Sequence, residues 1–265
     1  MSRIVLIGAG NVATHLGIAL SKSGNEIVQV YSRTDNSAIA LARKLDTEFT
    51  TSLSSINRNA DLFLLTVSDD ALSNVLKDLN VGNNLLVHTS GFLSMDALAR
   101  NSENYGVFYP LQTFSKSRSV EMRTMPVCIE ANSEKSLGIL KSLARQISDD
   151  VRNVNSEQRR KLHLAAVFAC NFANYMYSVA AQILEDSGID FDILKPLIAE
   201  TAAKIQDMIP LEAQTGPAIR GDKSIMDAHL KMLEQYPEFR AIYKLISTEI
   251  EESHRHFAVG KRTKH

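Results

Sequence analysis

A glycine-rich turn between a strand and a helix fixes how this chain must begin. Arg3–Ile7 is a short aliphatic run, Gly8-Ala9-Gly10-Asn11-Val12-Ala13 follows it directly, and residues 12–23 read as an amphipathic helix. In a GxGxxA turn the first glycine permits the sharp bend and the second lets backbone approach a diphosphate. The small last residue brings helix and strand close together. Phosphates would then rest on the helix N-terminus, where free N–H groups and the helix dipole favour negative charge. Gly8, Gly10, Asn11, Val12 and Ala13 are therefore expected to hold a dinucleotide. A glycine turn that merely packs is the plain alternative; a second strand at the right distance, Glu26–Tyr31, argues against it.

Beyond that turn, short apolar runs alternate with helical stretches. Runs at 3–7, 26–31, 62–67, 85–88, 107–109 and 126–130 predict strands, helical segments such as 37–45 separate them, and a last strand is expected at 151–154. This alternation predicts an α/β architecture, a doubly wound, mostly parallel Rossmann sheet. From Asn155 the strand signals stop. Asn155 with Gln158 forms a capping-box pattern, residues 162–184 read as one long helix ended near Gly188, and further helices are expected at 191–208, 222–235 and 238–257. Pro210 and Gly216-Pro217 fall between them. The reading is thus two domains, 1–154 binding a nucleotide and 155–265 all-helical, with a basic tail from Gly260 expected to fray.

Charge narrows the partners. The 29 Lys and Arg nearly balance the 30 Asp and Glu, whereas a protein that neutralises nucleic-acid phosphates carries a clustered basic excess. A small-molecule substrate is expected, and no nucleic acid. Cys128 and Cys170 belong to no metal-binding or disulfide spacing, so no metal site is expected and a reducing, cytoplasmic location is. Residues 164–184 carry no charge and are long enough to cross a bilayer at about 20 residues. Asn171, Asn174, Ser178 and Gln182 recur along them, so the expectation is a buried central helix of a helical domain and no membrane span.

The residues after the second strand choose between cofactors. A site for NAD usually places an acid about 20 residues past the glycines, on the ribose hydroxyl, whereas a cation with small hydroxyls there suits NADP. Here the segment is Tyr31-Ser32-Arg33-Thr34. Arg33 is expected to pair with the 2′-phosphate and stack on adenine, with Ser32 and Thr34 donating hydrogen bonds. NADP(H) is the expected cofactor; Asp35, slightly late in the chain, keeps NAD(H) as the alternative, and a solvated loop arginine is the plain reading of Arg33. In such sheets ligands lie beyond the carboxyl ends of the strands. Val67, Ser68 and Asp69 would flank the nicotinamide ribose, while His88, Thr89, Ser90, Tyr109 and Gln112 would face the ring and the substrate. These loops equally suit ordinary turn chemistry, and a lone histidine such as His88 at a strand end is as often structural.

HTSG, YPLQTF, the HLAA…N helix and TGPAIRGD…HL, in this order behind GxGxxA, resemble the Rossmann-like oxidoreductases whose C-terminal helical domain has no assigned function. Those are relatives of pyrroline-5-carboxylate reductase, 6-phosphogluconate dehydrogenase and hydroxyisobutyrate dehydrogenase, and the N-terminal half is similar to deazaflavin-dependent NADP oxidoreductases. The resemblance covers nearly the whole chain. It implies an NADP-binding domain, a helical domain that makes a homodimer, and a substrate cleft between them. Two departures stand out: Tyr109 occupies a position where the family tends to have His, and Val167 sits where the hydroxyacid dehydrogenases carry a lysine one turn before the Asn that Asn171 matches.

The missing lysine has a chemical consequence. Alcohol and ketone chemistry needs a group to trade the hydroxyl proton, whereas a C=N bond can be reduced as an iminium with little help. His163, Asn171 and Asn174, at i, i+8 and i+11, would lie in one sector of a continuous helix. His163 is then the expected acid or base, with Ser90 as an orienting hydroxyl; the bland reading is a polar seam in a helical core or dimer interface. Arg220, in a turn before a helix that Asp222 would cap, would reach a substrate carboxylate or phosphate, or else brace its loop with Asp222 and His229. The leading expectation is an NADP-dependent oxidoreductase acting on a small carbonyl, hydroxyl or imine compound. A non-catalytic NADP(H)-binding sensor is the rival, and a scaffold keeping a relic nucleotide fold is the third reading.

Overall fold

Strands β1 (Arg3–Ile7) and β4 (Leu62–Leu65) are almost wholly aliphatic and buried on both faces, which marks them as the middle of a covered parallel sheet. In the computed structural model, which describes residues 1–262 with side chains to Phe257, they lie side by side. Around them run β2 (Glu26–Tyr31), β3 (Glu48–Thr50), β5 (Gly82–His88), β6 (Ser102–Pro110), β7 (Val127–Ala131) and β8 (Val151–Asn153). The order is β3-β2-β1-β4-β5-β6-β7-β8, parallel throughout except where β7 runs antiparallel to β6. The first six strands have the dinucleotide-binding order, in which the direction of winding reverses between β1 and β4. The expected sheet is present; β3 was not foreseen, being three residues on an exposed edge with no apolar alternation.

Alternate side chains of each central strand feed two separate cores. Ile4 and Leu6 pack with Leu62 and Leu64 beneath α1 (Asn11–Lys22), α2 (Asp35–Leu45) and α4 (Glu134–Ile147). Val5, Ile7, Phe63 and Leu65 pack on the other face with α3 (Asp69–Asp78) through Leu72 and Val75. Period-two alternation in a doubly covered sheet demands this division. The predicted capping box also forms: Asn155 accepts from Gln158 N–H and Gln158 accepts from Asn155 N–H at the start of α5 (Ser156–Ala166).

The long helix expected from 162 to 184 is interrupted. Residues Val167–Phe172 form a π-helical turn, after which α6 (Ala173–Glu185) resumes. A π-turn inserts an extra residue, so α-helical spacing no longer holds across it. The chain divides into two compact units, Met1–Asn171 and Phe172–His265. The division therefore falls later than the change from strands to helices at 154, because α5 packs within the first unit.

In the second unit follow α7 (Lys195–Asp207), α8 (Pro210–Ala213), α9 (Pro217–Arg220), α10 (Lys223–Met232) and α11 (Pro237–Arg262). The helix expected at 191–208 begins as a 3-10 turn, and α11 outlasts the expected end at 257. Residues 260–262 of the tail are thus helical, and the remainder lies outside the described residues. Asp222 precedes α10 but makes no side-chain cap; its carboxylate accepts from Arg220 instead. Among the described residues of this unit only the apolar side chains of Ala218 and Leu233 are buried. The expectation that 164–184 forms a buried central helix is not met within one chain: Leu164 is 59% exposed, Phe168 64% and Tyr175 48%. By length and composition alone Ser156–Glu185 is able to cross a membrane.

Candidate active site

Gly8 sits where the sheet reverses its winding. Its φ of +125° is open to glycine alone, and a Cβ there would lie 2.6 Å from Thr66 Oγ1 and 2.8 Å from the Thr66 carbonyl oxygen. Its N–H donates to the Tyr31 carbonyl at 2.8 Å, and Thr66 N–H donates to the Ile7 carbonyl at 2.8 Å. The ends of β1, β2 and β4 are thereby drawn to one place. Gly10 caps α1 without any side-chain bond, and nothing lies within 4 Å of where its Cβ would be. Open space stands over the first turn of a 12-residue helix, where unpaired N–H groups point outward. A diphosphate fits that cradle.

Beside it, Ser32, Arg33 and Thr34 follow the last residue of β2. Arg33 is exposed and makes no ion pair among the described residues, and Thr34 begins α2 with its hydroxyl uncommitted to capping. Across the glycine turn the loop after β6 comes down onto α1. Asn11 Nδ2 donates to the Phe114 carbonyl at 2.8 Å, His15 Nε2 meets the Ser115 carbonyl at 2.9 Å, and the His15 and Phe114 rings stack with centroids 4.8 Å apart. Asn11, expected at the diphosphate, thus also anchors this strap.

The loop after β5 is tightly bonded. His88 is buried; Ser90 N–H donates to its Nδ1 at 3.1 Å, and its Nε2 lies 3.3 Å from the Ser94 carbonyl. Burial, aided by the field of Arg159, lowers the His88 pKa to about 4. Neutral and bonded at both nitrogens, it shapes the loop. The Ser90 hydroxyl donates to Asp69 Oδ2 at 3.0 Å and accepts from the N–H groups of Phe92 and Leu93 at 3.0 Å, so it joins the loops after β4 and β5. Thr89 Oγ1 donates to the Leu65 carbonyl at 3.2 Å, and Val67 and Ser68 lead into α3 without a side-chain cap.

His163 and Tyr109 do meet. The Tyr109 hydroxyl lies 3.1 Å from His163 Nδ1, with ring planes at 77°. Both line a cavity of about 560 Å³, shared with Gln112, Cys170 and Asn171 and walled by Leu111, Leu162 and Ala166. Burial pushes the Tyr109 phenol up to about 12, so it holds its proton at neutral pH. Asn174 does not line this cavity; the π-turn between it and His163 breaks the spacing that put them in one sector. Arg220, in the second unit, is ion-paired with Asp222 at 2.8 Å, while His229 bonds Tyr243 and takes no part in that bracing.

Three residues of this region were not singled out in the sequence. Gly91 is the floor beneath His163: a Cβ there would stand 2.6 Å from Nδ1 and 2.7 Å from Cγ of that ring. Arg159, buried one helical turn before His163, pairs with the half-buried Glu130 of β7. The HTSG pattern contained Gly91 without showing what approaches it, and nothing local marks an arginine as buried.

Residues 3–90 match the family described as NADP oxidoreductase, coenzyme F420-dependent, and residues 125–250 match a domain of unknown function, DUF2520. Among solved structures, a Bacteroides fragilis protein provisionally described as an NADP oxidoreductase is 45% identical over 95% of this chain and 98% of its own, with a TM-score of 0.92. Pyrroline-5-carboxylate reductase from Streptococcus pyogenes is 14% identical over 95% of this chain and 98% of its own, at 0.65. An imine reductase from Myxococcus stipitatus in complex with NADP+ is 15% identical over 97% and 94%, at 0.63. These two share the fold. Among curated proteins none matches. The chain belongs to the family of the Bacteroides fragilis protein, Rossmann-type NADP oxidoreductases that end in a DUF2520 domain, and it is an oxidoreductase that uses a nicotinamide cofactor.

The His88 environment predicts a stability profile. An unfolded chain protonates this imidazole near pH 6.5, whereas the folded protein resists until about pH 4. The contribution is therefore fully present above pH 6.5 and lost as pH falls toward 4, because the unfolded state binds more protons; the gap corresponds to about 3 kcal/mol. Denaturant titrations across this window should show a shallower dependence on pH for His88→Gln than for the wild type. An unchanged slope would show that His88 is not held neutral.

Proposed function

We propose that this oxidoreductase reduces a small compound with a C=N bond at the expense of NADPH, and that Tyr109 and His163 manage the proton. The observation that carries the reading is the 3.1 Å contact between the buried phenol and the imidazole in the wall of the cavity, with valine at 167 where related dehydrogenases have lysine. NADPH, when bound, supplies a hydride to the carbon of the C=N bond. The N–H groups of Asn11, Val12 and Ala13 would receive the diphosphate above Gly10. Arg33 would take the 2′-phosphate with Ser32 and Thr34, and Val67, Ser68 and Asp69 would border the nicotinamide ribose.

An iminium arrives with its proton, and the π pair becomes the nitrogen lone pair once hydride has added to carbon. A neutral imine needs a proton on that nitrogen. Tyr109, kept neutral by burial, gives its own, and His163 restores the phenol by passing on its Nδ1 proton as Nε2 takes one from water. Thr89, Gln112 and Asn171 would hold the substrate. The fold neighbours include a pyrroline-5-carboxylate reductase and an imine reductase, both named for C=N substrates, which supports this class over an alcohol.

A second copy of the chain would complete the helical unit as a homodimer. Leu197, Met232 and Leu245 are 63%, 70% and 64% exposed, and among its described residues the unit buries almost nothing apolar, too little for a stable fold. Asn171, Asn174, Ser178 and Gln182 along the apolar helix suit a protein surface better than lipid.

Titration should show NADPH binding more tightly than NADH, with Arg33→Ala weakening NADPH about tenfold or more and leaving NADH unchanged; equal affinities untouched by Arg33→Ala would exclude the assignment. In NADPH oxidation by a panel of five- and six-membered cyclic imines, Tyr109→Phe and His163→Ala should each lose about a hundredfold in turnover, the lower end for positioned acid–base groups, with NADPH affinity retained. Full turnover in both variants would remove the proton role. Light scattering should give twice the chain mass, whereas a monomer, or partition into phosphatidylcholine vesicles, contradicts the homodimer.

A further inference from the structure

Arg159 is the one Arg, Lys, Asp or Glu that is buried among the described residues, and its guanidinium reaches three parts of the fold. Nε donates to the Ser90 carbonyl at 3.1 Å, Nη2 donates to the Leu93 carbonyl and to Ser156 Oγ, and Nη1 donates to Glu130 Oε2. Glu130, on β7, also accepts from Ser156 N–H at 2.9 Å and from the Ser156 hydroxyl at 2.8 Å. Met95 N–H donates to the same hydroxyl at 3.2 Å. The first turn of α5 is thus joined to β7 and to both ends of the loop that contains Gly91.

His163 stands four residues after Arg159, on the same face of α5. Gly91, between the two carbonyls that Arg159 grips, lies so close beneath the imidazole that a single added carbon would collide with it. We propose that Arg159 is a positioning residue: its forked guanidinium sets α5 against the Ser90–Leu93 loop so that the His163 ring, resting on Gly91, meets the Tyr109 hydroxyl. This rests on the reading that Tyr109 and His163 form the proton-handling pair. Burying an ion pair is a poor way to gain stability, since apolar residues of similar volume often serve as well or better. A planar fork with fixed donor directions is a good way to fix a position.

Arg159→Lys keeps the charge and the pairing with Glu130, but one ammonium cannot span Glu130 and two backbone carbonyls. Two readouts separate positioning from folding and from the choice of substrate. In long-range proton–nitrogen spectra of 15N-histidine-labelled protein, Tyr109→Phe should shift the His163 Nδ1 resonance in the wild-type background and leave it unmoved in Arg159→Lys, where the contact is already lost. With a cyclic imine, Arg159→Lys should lower kcat at least tenfold while KM for NADPH stays within twofold. Should Arg159→Lys fail to fold, Glu130→Gln, which keeps both carbonyl contacts, should show the same loss of the Tyr109 response in weaker form. A His163 resonance that answers Tyr109→Phe equally in all backgrounds overturns the proposal. Absence of turnover with every imine in the wild type would fall on the substrate reading alone, because the spectra still report the contact.

Discussion

A charge taken fully out of water must be matched at every donor, and that requirement governs how the first unit is assembled around Arg159. Its guanidinium can be buried only if a carboxylate and carbonyl oxygens stand at fixed directions around it. Glu130, Ser90 and Leu93 supply them. Removing one partner of such a pair costs about 3–5 kcal/mol because the other is left stranded. The loop after β5, the antiparallel strand β7 and the first turn of α5 are therefore held together by one side chain, and the helical segment that carries His163 belongs to the first unit and not to the helices that follow.

A second constraint acts at the carboxyl ends of β1, β2 and β4. Gly8 brings the end of β1 within contact of Thr66, the residue after β4, while its N–H donates to the carbonyl of Tyr31 on β2. Three strand ends converge where the winding of the sheet reverses, the place where such sheets bind ligands. The strap of Phe114 and Ser115 on Asn11 and His15 ties the loop after β6 to the same helix. Gln112, two residues before Phe114, lines the cavity with Tyr109 and His163, so one loop connects the glycine turn to the cavity where those two side chains meet.

The sheet was legible in the sequence because each central strand is buried on both sides and so appears as an unbroken aliphatic run, and because the glycine turn needs those residue types. The edge strand β3 has no such pattern. The capping box at Asn155 and Gln158 was legible for the same local reason, while the π-turn at Val167–Phe172 has no composition that betrays it and shifts Asn174 out of the expected sector. Asp222 was misjudged as a cap because a nearby cation, Arg220, competes for its carboxylate. Of the site, His163 and Tyr109 were legible as separate residues; that they touch depends on Arg159, Glu130 and Gly91, whose importance is wholly tertiary. An apolar helix gives no sign in sequence of whether its own chain covers it, and here Leu164 and Tyr175 stay exposed within one chain.

If a nucleotide held at Gly10 and Arg33 serves chemistry at Tyr109 and His163, a crystal structure of the NADPH complex should show the 2′-phosphate on Arg33, the diphosphate above Gly10 and the nicotinamide C4 facing the cavity lined by Tyr109 and His163, within reach of one small substrate. A nicotinamide ring surrounded only by backbone and apolar groups, with that pair turned away from C4, would contradict it.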